Sequence, residues 1–454
     1  MSLPTSASFL VTENCNLRCK YCFEKHNTKV MSEEVAFKAL ELLSNNALIE
    51  HKREFHAMLF GGEPLLNIDL IDKIFHEGER LAKEKDLRFT ASIVTNATIF
   101  NDEIKSVLTW HKDSSNITIQ LSIDGDKETQ DEYRVTIDGH GSFDLVDKNV
   151  SKFLDIFRGE EYKVCVHGCL NKKTISKMYD NFMFFRNNWN IQNIWFLPVM
   201  EEEWDEEDVK TYNEQQGKIY SYIKDKLVET MDVDTINMYA PLDRCMNQFF
   251  PSKPCGAGDT FITVTADGDL YVCHQVYFND PEQKTKIGDV FNGIDEEKRR
   301  PFVEYKSSDL NCDRDCKNVN CYRCIAANFV HNGNMFDQIK GNYCKLMTID
   351  KRYQDMLAND VKELGLVNNN PHCEFTCLCN AREGSSLDGC DIVHRQSVCE
   401  SGNNPNNPDC MCDARNSINN NYRSNEFEET ISLALNIILE KLEKIEKDIE
   451  ELKK

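Results

Sequence analysis

Cys15-Asn16-Leu17-Arg18-Cys19-Lys20-Tyr21-Cys22 is the stretch from which the rest of this chain can be read. The C-x3-C-x2-C spacing puts three thiols in one short loop, close enough to grip three irons of a single cubane. Iron–sulfur cubanes ordinarily take four cysteines, so a loop with three leaves one iron for a ligand from outside the protein. A zinc knuckle short of one ligand is the other reading of the loop by itself.

Working outward, the loop follows an apolar run, Ser8–Thr12, and begins an alternation of strand-like and helix-like segments. Strands are predicted at Ser8–Thr12, Glu54–Phe60, Leu87–Thr95, Ile117–Ile123, Tyr162–Leu170 and Ile194–Pro198. Helical periodicity lies between them at Glu33–Leu43, Asp69–Lys83, Glu103–Trp110, Phe143–Phe157 and Ile175–Asn187. Six β-then-α units imply an α/β fold with a parallel sheet covered by helices. Six units rather than eight fit a partial (β/α)6 barrel, with ligands at the C-terminal strand ends. The pattern alone leaves an open doubly wound sheet as the alternative.

Composition narrows the class of partner. The 454 residues carry 53 basic and 76 acidic side chains, a net charge of -23, which disfavours a nucleic-acid partner. No apolar run approaches the ~18 residues of a membrane span, so no membrane is expected. The N-terminus lacks an export signal. Twenty cysteines without such a signal point to metal in a reducing, cytoplasmic setting, and favour an anaerobic host.

Further motifs sit at the predicted strand ends. Phe60-Gly61-Gly62-Glu63-Pro64 closes the second strand, and its glycines allow close backbone approach. Thr95-Asn96-Ala97-Thr98 closes the third. Leu121-Ser122-Ile123-Asp124-Gly125 closes the fourth, with Arg134 nine residues after Gly125. Arg134 suits a carboxylate ligand, or else pairs with nearby Asp131 or Glu132. Cys165 and Cys169, on the fifth strand, read as core residues or as barrel-facing thiols. From about residue 240 cysteines recur: Cys255, Cys273, Cys312, Cys316, Cys321, Cys324 and Cys344.

Together these features resemble the radical S-adenosylmethionine (SAM) enzymes with a SPASM extension. The resemblance implies a [4Fe–4S] cluster on Cys15, Cys19 and Cys22, whose open iron chelates the amino and carboxylate groups of SAM. It gives Gly61, Gly62 and Glu63 the methionine amino group, and Ser122 and Arg134 the carboxylate. Ala97 departs from the glycine usual in the third-strand motif. Phe196-Leu197-Pro198 matches the strand whose backbone contacts adenine. The later cysteines imply two auxiliary [4Fe–4S] clusters. By order, Cys312, Cys316, Cys321 and Cys344 hold one, and Cys255, Cys273 and Cys324 hold the other. That second cluster either gains Cys245 or keeps an open iron for a substrate thiolate.

Two branches of that family compete. Anaerobic sulfatase-maturating enzymes share the layout, but have Gln before the glycine motif and an Asp base after the auxiliary cysteine. Here those positions are Phe60 and His274. Phe60–Leu66 and Tyr271–Gln275 look more like maturases of Cys-rich ribosomal peptides, which join a cysteine sulfur to a carbon. That branch implies a Cys-rich precursor peptide as substrate and a reductant such as flavodoxin or ferredoxin. Formylglycine generation is the alternative function, as are carbon–carbon crosslinking and epimerisation of a peptide. Many such maturases carry an N-terminal peptide-recognition domain; 14 residues precede Cys15, so leader binding is expected to use another element or protein. No catalytic base is assigned, and His274 reads more readily as a tuner of a cluster sulfur.

The expected divisions are residues 1–235 for the barrel, 236–365 for the SPASM domain, 366–425 for a Cys-rich segment and 426–454 for a helix. In the third, Cys377-Leu-Cys379-Asn-Ala-Arg382 recurs as Cys410-Met-Cys412-Asp-Ala-Arg415. The fourth carries a heptad seam from Ile431 to Leu452, which fits either a homodimeric coiled coil or a helix packed on its own domain.

Overall fold

The computed structural model describes residues 1–191, 193–232, 256–304, 324–337, 339 and 341–366. Cys245, Cys255, Cys312, Cys316, Cys321, the cysteines from Cys373 to Cys412 and the heptad segment lie outside the described residues.

Six parallel strands form the core: β1 (Ser6–Thr12), β2 (Glu54–Gly61), β3 (Arg88–Thr95), β4 (Thr118–Ser122), β5 (Val164–Leu170) and β6 (Asn193–Pro198). They lie side by side in chain order. A doubly wound sheet would reverse its order at a switch point; this one does not, so the barrel reading is the right one. Each strand begins and ends within two residues of its predicted limits.

Alternation along the strands has a direct cause. In β2, Phe55, Ala57 and Leu59 are fully buried while His56, Met58 and Phe60 are not. Phe55 meets Phe89 of β3 at 5.2 Å between rings. Phe89 in turn fills the space beside Gly78, in helix α2 (Ile68–Lys85), where a Cβ would lie 2.5 Å from its ring. One set of side chains therefore packs under the helices, and the alternate set lines the barrel interior. The same logic places Cys165, His167 and Cys169 of β5 on the interior face, because Gly168 between them packs on Phe196 beneath the helices.

Helix starts follow local chemistry. Ser32 caps α1 (Glu33–Ile49) by accepting from Val35 N at 3.2 Å, and Asn101 caps α3 (Asp102–His111) through Ile104 N at 2.8 Å. Two helices of the barrel region lie outside the predicted segments. Asp126 opens α4 (Lys127–Tyr133), and Asp205 with Asp208 forms a capping box for the 25-residue α7 (Glu206–Thr230). Between them run α5 (Phe143–Ile156) and α6 (Met178–Trp189).

The sheet continues beyond β1. Strand β7 (Phe261–Val264) pairs parallel with β1, Ser8 opposite Thr263, and β8 (Asp269–Tyr271), β9 (Lys286–Asp289) and β10 (Gly293–Ile294) follow antiparallel. Residues 1–366 are one compact unit. A closing helix, Tyr343–Glu363, packs on α7, with Tyr212 donating to Asp350 at 2.7 Å. No helix among the described residues is long and apolar enough to cross a membrane.

Candidate active site

The cysteine loop leaves β1 at Thr12 and is stitched down on both sides. Arg18 N donates to Val135 O at 2.7 Å and Lys20 N to Tyr133 O at 2.9 Å. Cys22 N reaches Cys19 O at 3.0 Å, closing the turn that gathers the three thiols. Cys15 is buried; Cys19 and Cys22 are partly exposed. Burial pushes the Cys15 and Cys22 thiols up to about 12, and Cys19 also rises by burial, with the Arg134 guanidinium opposing. Each thiolate resists forming beside the others, so the trio keeps its protons until a cationic centre takes their charge. That donor set fits an iron–sulfur cluster: three thiols in one loop, gathered and partly shielded from water.

The glycine motif is built for close approach. Gly61 has φ +116°, and a Cβ there would lie 2.1 Å from Thr12 O. At Gly62 a Cβ would meet Asn14 O at 2.2 Å. The two glycines let the end of β2 hydrogen-bond the cysteine loop, Gly62 N to Thr12 O and Glu63 N to Asn14 O, both at 2.9 Å. The Glu63 side chain is fully buried. It accepts from Leu65 N at 3.1 Å, Thr95 Oγ1 at 2.8 Å and Asn96 N at 2.7 Å. Burial still wins over these donors and raises its carboxyl to about 7. The carboxylate therefore fastens the β3 turn, a role that sequence reasoning missed.

That turn closes a second circuit. Asn96 Nδ2 donates to Asn16 Oδ1 at 2.9 Å and approaches Cys15 Sγ at 3.8 Å, while Asn16 donates to Thr98 Oγ1 at 2.8 Å. Ala97, between them, holds φ +60°. The glycine usual at this place would meet that conformation without strain; here alanine adopts it.

Beyond β4, Arg134 pairs with Asp124 rather than Asp131 or Glu132. Its Nε donates to Asp124 Oδ1 at 2.9 Å, Nη2 to Cys169 Sγ at 3.8 Å, and its guanidinium lies 5.5 Å from the Tyr21 ring centroid. Tyr21 donates to the other Asp124 oxygen at 2.5 Å, and Cys169 N to the first at 2.9 Å. Asp131 instead accepts from Phe143 N, and Glu132 pairs with Lys173. Ser122 ends β4, half-buried and in register with His167. No hydrogen bond joins it to Arg134 among the described residues. Asp124 was legible as a letter in the L-S-I-D-G run, but not as the partner of Arg134.

The later cysteine region leans on the same loop. Cys273 precedes a short helix, His274–Tyr277; Cys324 precedes another, Ile325–Asn332; buried Cys344 lies in the first turn of the closing helix. Tyr277 donates to Glu13 Oε1 at 3.0 Å. The His274 ring sits 4.4 Å from Phe60, 6.3 Å from Phe23 and 6.5 Å from Phe261. Burial lowers His274 to about 4, which keeps it neutral, and its buried Nδ1 has no hydrogen-bond partner among the described residues.

Comparison with known proteins agrees with this geometry. Residues 9–178 match the Radical SAM superfamily. The chain is 26% identical over 202 residues to the radical SAM cyclopropyl synthase TigE of Paramaledivibacter caminithermalis, covering 41% of this chain and 40% of that protein. It is 26% identical over 332 residues to a cysteine-type anaerobic sulfatase-maturating enzyme of Clostridium novyi, covering 68% of this chain and 83% of the relative. Among solved structures, native anSMEcpe with bound AdoMet and Cp18Cys peptide superposes with TM-score 0.62 at 17% identity, over 80% of this chain and all of that one. The last likeness is one of fold. With the three-cysteine loop at the mouth of a six-stranded partial barrel, residues 9–178 are a radical SAM domain, and the chain is an enzyme that resembles the radical SAM peptide maturases.

Proposed function

We propose that this enzyme is a peptide maturase that forms thioether bonds between a cysteine sulfur and a carbon in a short Cys-rich ribosomally made peptide. The observation that carries this reading is the contact between Phe60 and His274, 4.4 Å apart, where the sulfatase-maturating pattern has Gln and Asp. A neutral, buried histidine walled by Phe23, Phe60 and Phe261 is a poor substitute for a carboxylate base.

With cluster and SAM bound, the site supplies reductive cleavage of SAM to methionine and a 5'-deoxyadenosyl radical. The residues of this chain would then bind and orient. Cys15, Cys19 and Cys22 hold the cluster. Gly61, Gly62 and Glu63 receive the methionine amino group through backbone atoms, the Glu63 carboxylate being engaged with the β3 turn. Ser122 and the Arg134 nitrogens not engaged by Asp124 receive the carboxylate.

Cys312, Cys316, Cys321 and Cys344 would hold one auxiliary cluster, and Cys255, Cys273 and Cys324, with Cys245 or an open iron, the other. An open iron would fix a substrate thiolate. A flavodoxin- or ferredoxin-like donor in the cytoplasm would supply electrons, and the C-terminal seam would serve a homodimer.

A second reading, formylglycine generation, is favoured by the 83% coverage of the Clostridium novyi relative. Incubation of the reduced enzyme and SAM with a Cys-rich peptide, and separately with a sulfatase peptide, decides between them. Loss of two hydrogens per crosslink, with disappearance of free thiols, is the expected result on the first. Formylglycine on the second, with the Cys-rich peptide unchanged, overturns the proposal.

A further inference from the structure

On the outer side of the barrel, away from the cysteine loops, α2 and α3 bring three metal-ligand side chains together. Asp72 and His76 stand one helical turn apart on α2 and so share a face. His111, in the last turn of α3, is fully buried against them. Its Nε2 lies 3.1 Å from Asp72 Oδ1, and His76 Nε2 lies 3.8 Å from Asp72 Oδ2. One ligand atom from each residue falls within 4.8 Å of the others. Ligand atoms around one tetrahedral zinc stand ~3.3 Å apart, so small rotamer changes at the exposed His76 would close the set.

A second carboxylate points to a ligand at that spot. Glu79 Oε1 accepts from His111 Nδ1 at 2.7 Å, and also from Ser114 at 2.6 Å and Ser115 at 2.7 Å. The contact with Nδ1 orients the His111 ring and leaves Nε2 directed at Asp72, where a metal ion would sit. Carboxylate, histidine and ion in this order is how metal-ligating histidines are ordinarily oriented.

The surrounding field has the same sign. Asp69 and Glu103 stand on the same two helices, and Glu103 is raised first by its hydrogen bond to Asp69, with the Asp72 charge adding to it. Among the described residues, no lysine or arginine forms an ion pair with Asp69, Asp72, Glu79 or Glu103.

We infer that Asp72, His76 and His111 form a binding site for one divalent transition-metal ion, zinc by ligand type, that ties α2 to α3. Water completes the shell from the solvent side. Glu79 is a positioning residue. The bound ion braces the two helices whose strands end in the glycine motif and in Asn96.

The test uses full-length, cluster-loaded protein titrated anaerobically with cobalt(II), alongside His76→Ala and Asp72→Asn. Both substitutions fall on accessible positions outside the SAM site, so SAM cleavage is expected to stay at the wild-type rate. Wild type should bind one more equivalent of cobalt than either variant. That equivalent should give visible d–d bands without thiolate-to-cobalt charge transfer, and zinc should displace it and raise the unfolding temperature of wild type alone. Equal uptake by wild type and both variants overturns the inference. An extra equivalent that carries thiolate charge transfer does the same.

Discussion

Arg134 and Asp124 meet through a single Nε–H to Oδ1 contact of 2.9 Å, almost wholly out of water. The pairing aims the guanidinium across the Tyr21 ring toward Cys169. Removing one member of such a pair strands the other charge, which ordinarily costs about 3 kcal/mol or more. Asp124→Asn should therefore lower both the denaturant midpoint and the affinity for SAM. Arg134→Lys keeps the charge but loses the fork, so equilibrium dialysis should register SAM binding ~10-fold weaker at unchanged iron content. Unaltered SAM affinity in both variants would remove Arg134 from the SAM site.

Gly62→Ala should abolish cluster loading. The added methyl would lie 2.2 Å from Asn14 O and 3.0 Å from Cys15 Cβ, and neither can retreat without moving the loop. Iron and sulfide per chain, measured after anaerobic reconstitution, should fall to the level of a Cys15→Ala control. Full loading would mean the loop tolerates displacement.

Ala97→Gly should stabilise the protein. Alanine at φ +60° pays the left-handed penalty of about 1 kcal/mol, which glycine avoids. The chemical-denaturation midpoint should rise with no change in slope. A lower midpoint would show that the buried methyl contributes more through packing than the backbone loses.

His56 links stability to pH. It lies on the interior face of β2 with its ring nitrogens 2.8 Å from Thr90 Oγ1 and 3.1 Å from Ser92 Oγ, and burial lowers it to about 4. Between about 4 and its ordinary 6.5, the unfolded chain binds the proton and the folded chain does not. Stability is thus lost as pH falls through that window, by roughly 2 kcal/mol after allowing for partial exposure. His56→Gln should flatten this part of the stability–pH curve. An unchanged slope between about pH 7 and about pH 5 would assign the loss to other groups.

The six barrel strands were legible because side chains alternate between helix-covered and interior faces, which imposes period two on residues such as Phe55 to Phe60. Helix α4 was not, since Lys-Glu-Thr-Gln-Asp-Glu-Tyr has no apolar stripe and forms on the Asp126 cap. Strands β7 to β10 have at most four residues each, too short for any periodicity to register. The cysteines, glycines and Arg134 could be read as letters with a chemistry. Their partners could not. Arg134 passes over the acids beside it in sequence because the chain turns back after α4 and delivers it to Asp124, ten residues upstream. Glu63, likewise, was legible as part of a motif but not as the clamp on Asn96.

Parallel pairing of β7 with β1 has a kinetic meaning. The stretch that leads into Cys15 and the hairpin that leads into Cys273 share one run of backbone hydrogen bonds. Any centres held by those thiols would be spaced by shared sheet backbone. Because electron tunnelling decays steeply with separation, that spacing would bear directly on an exchange of charge between them.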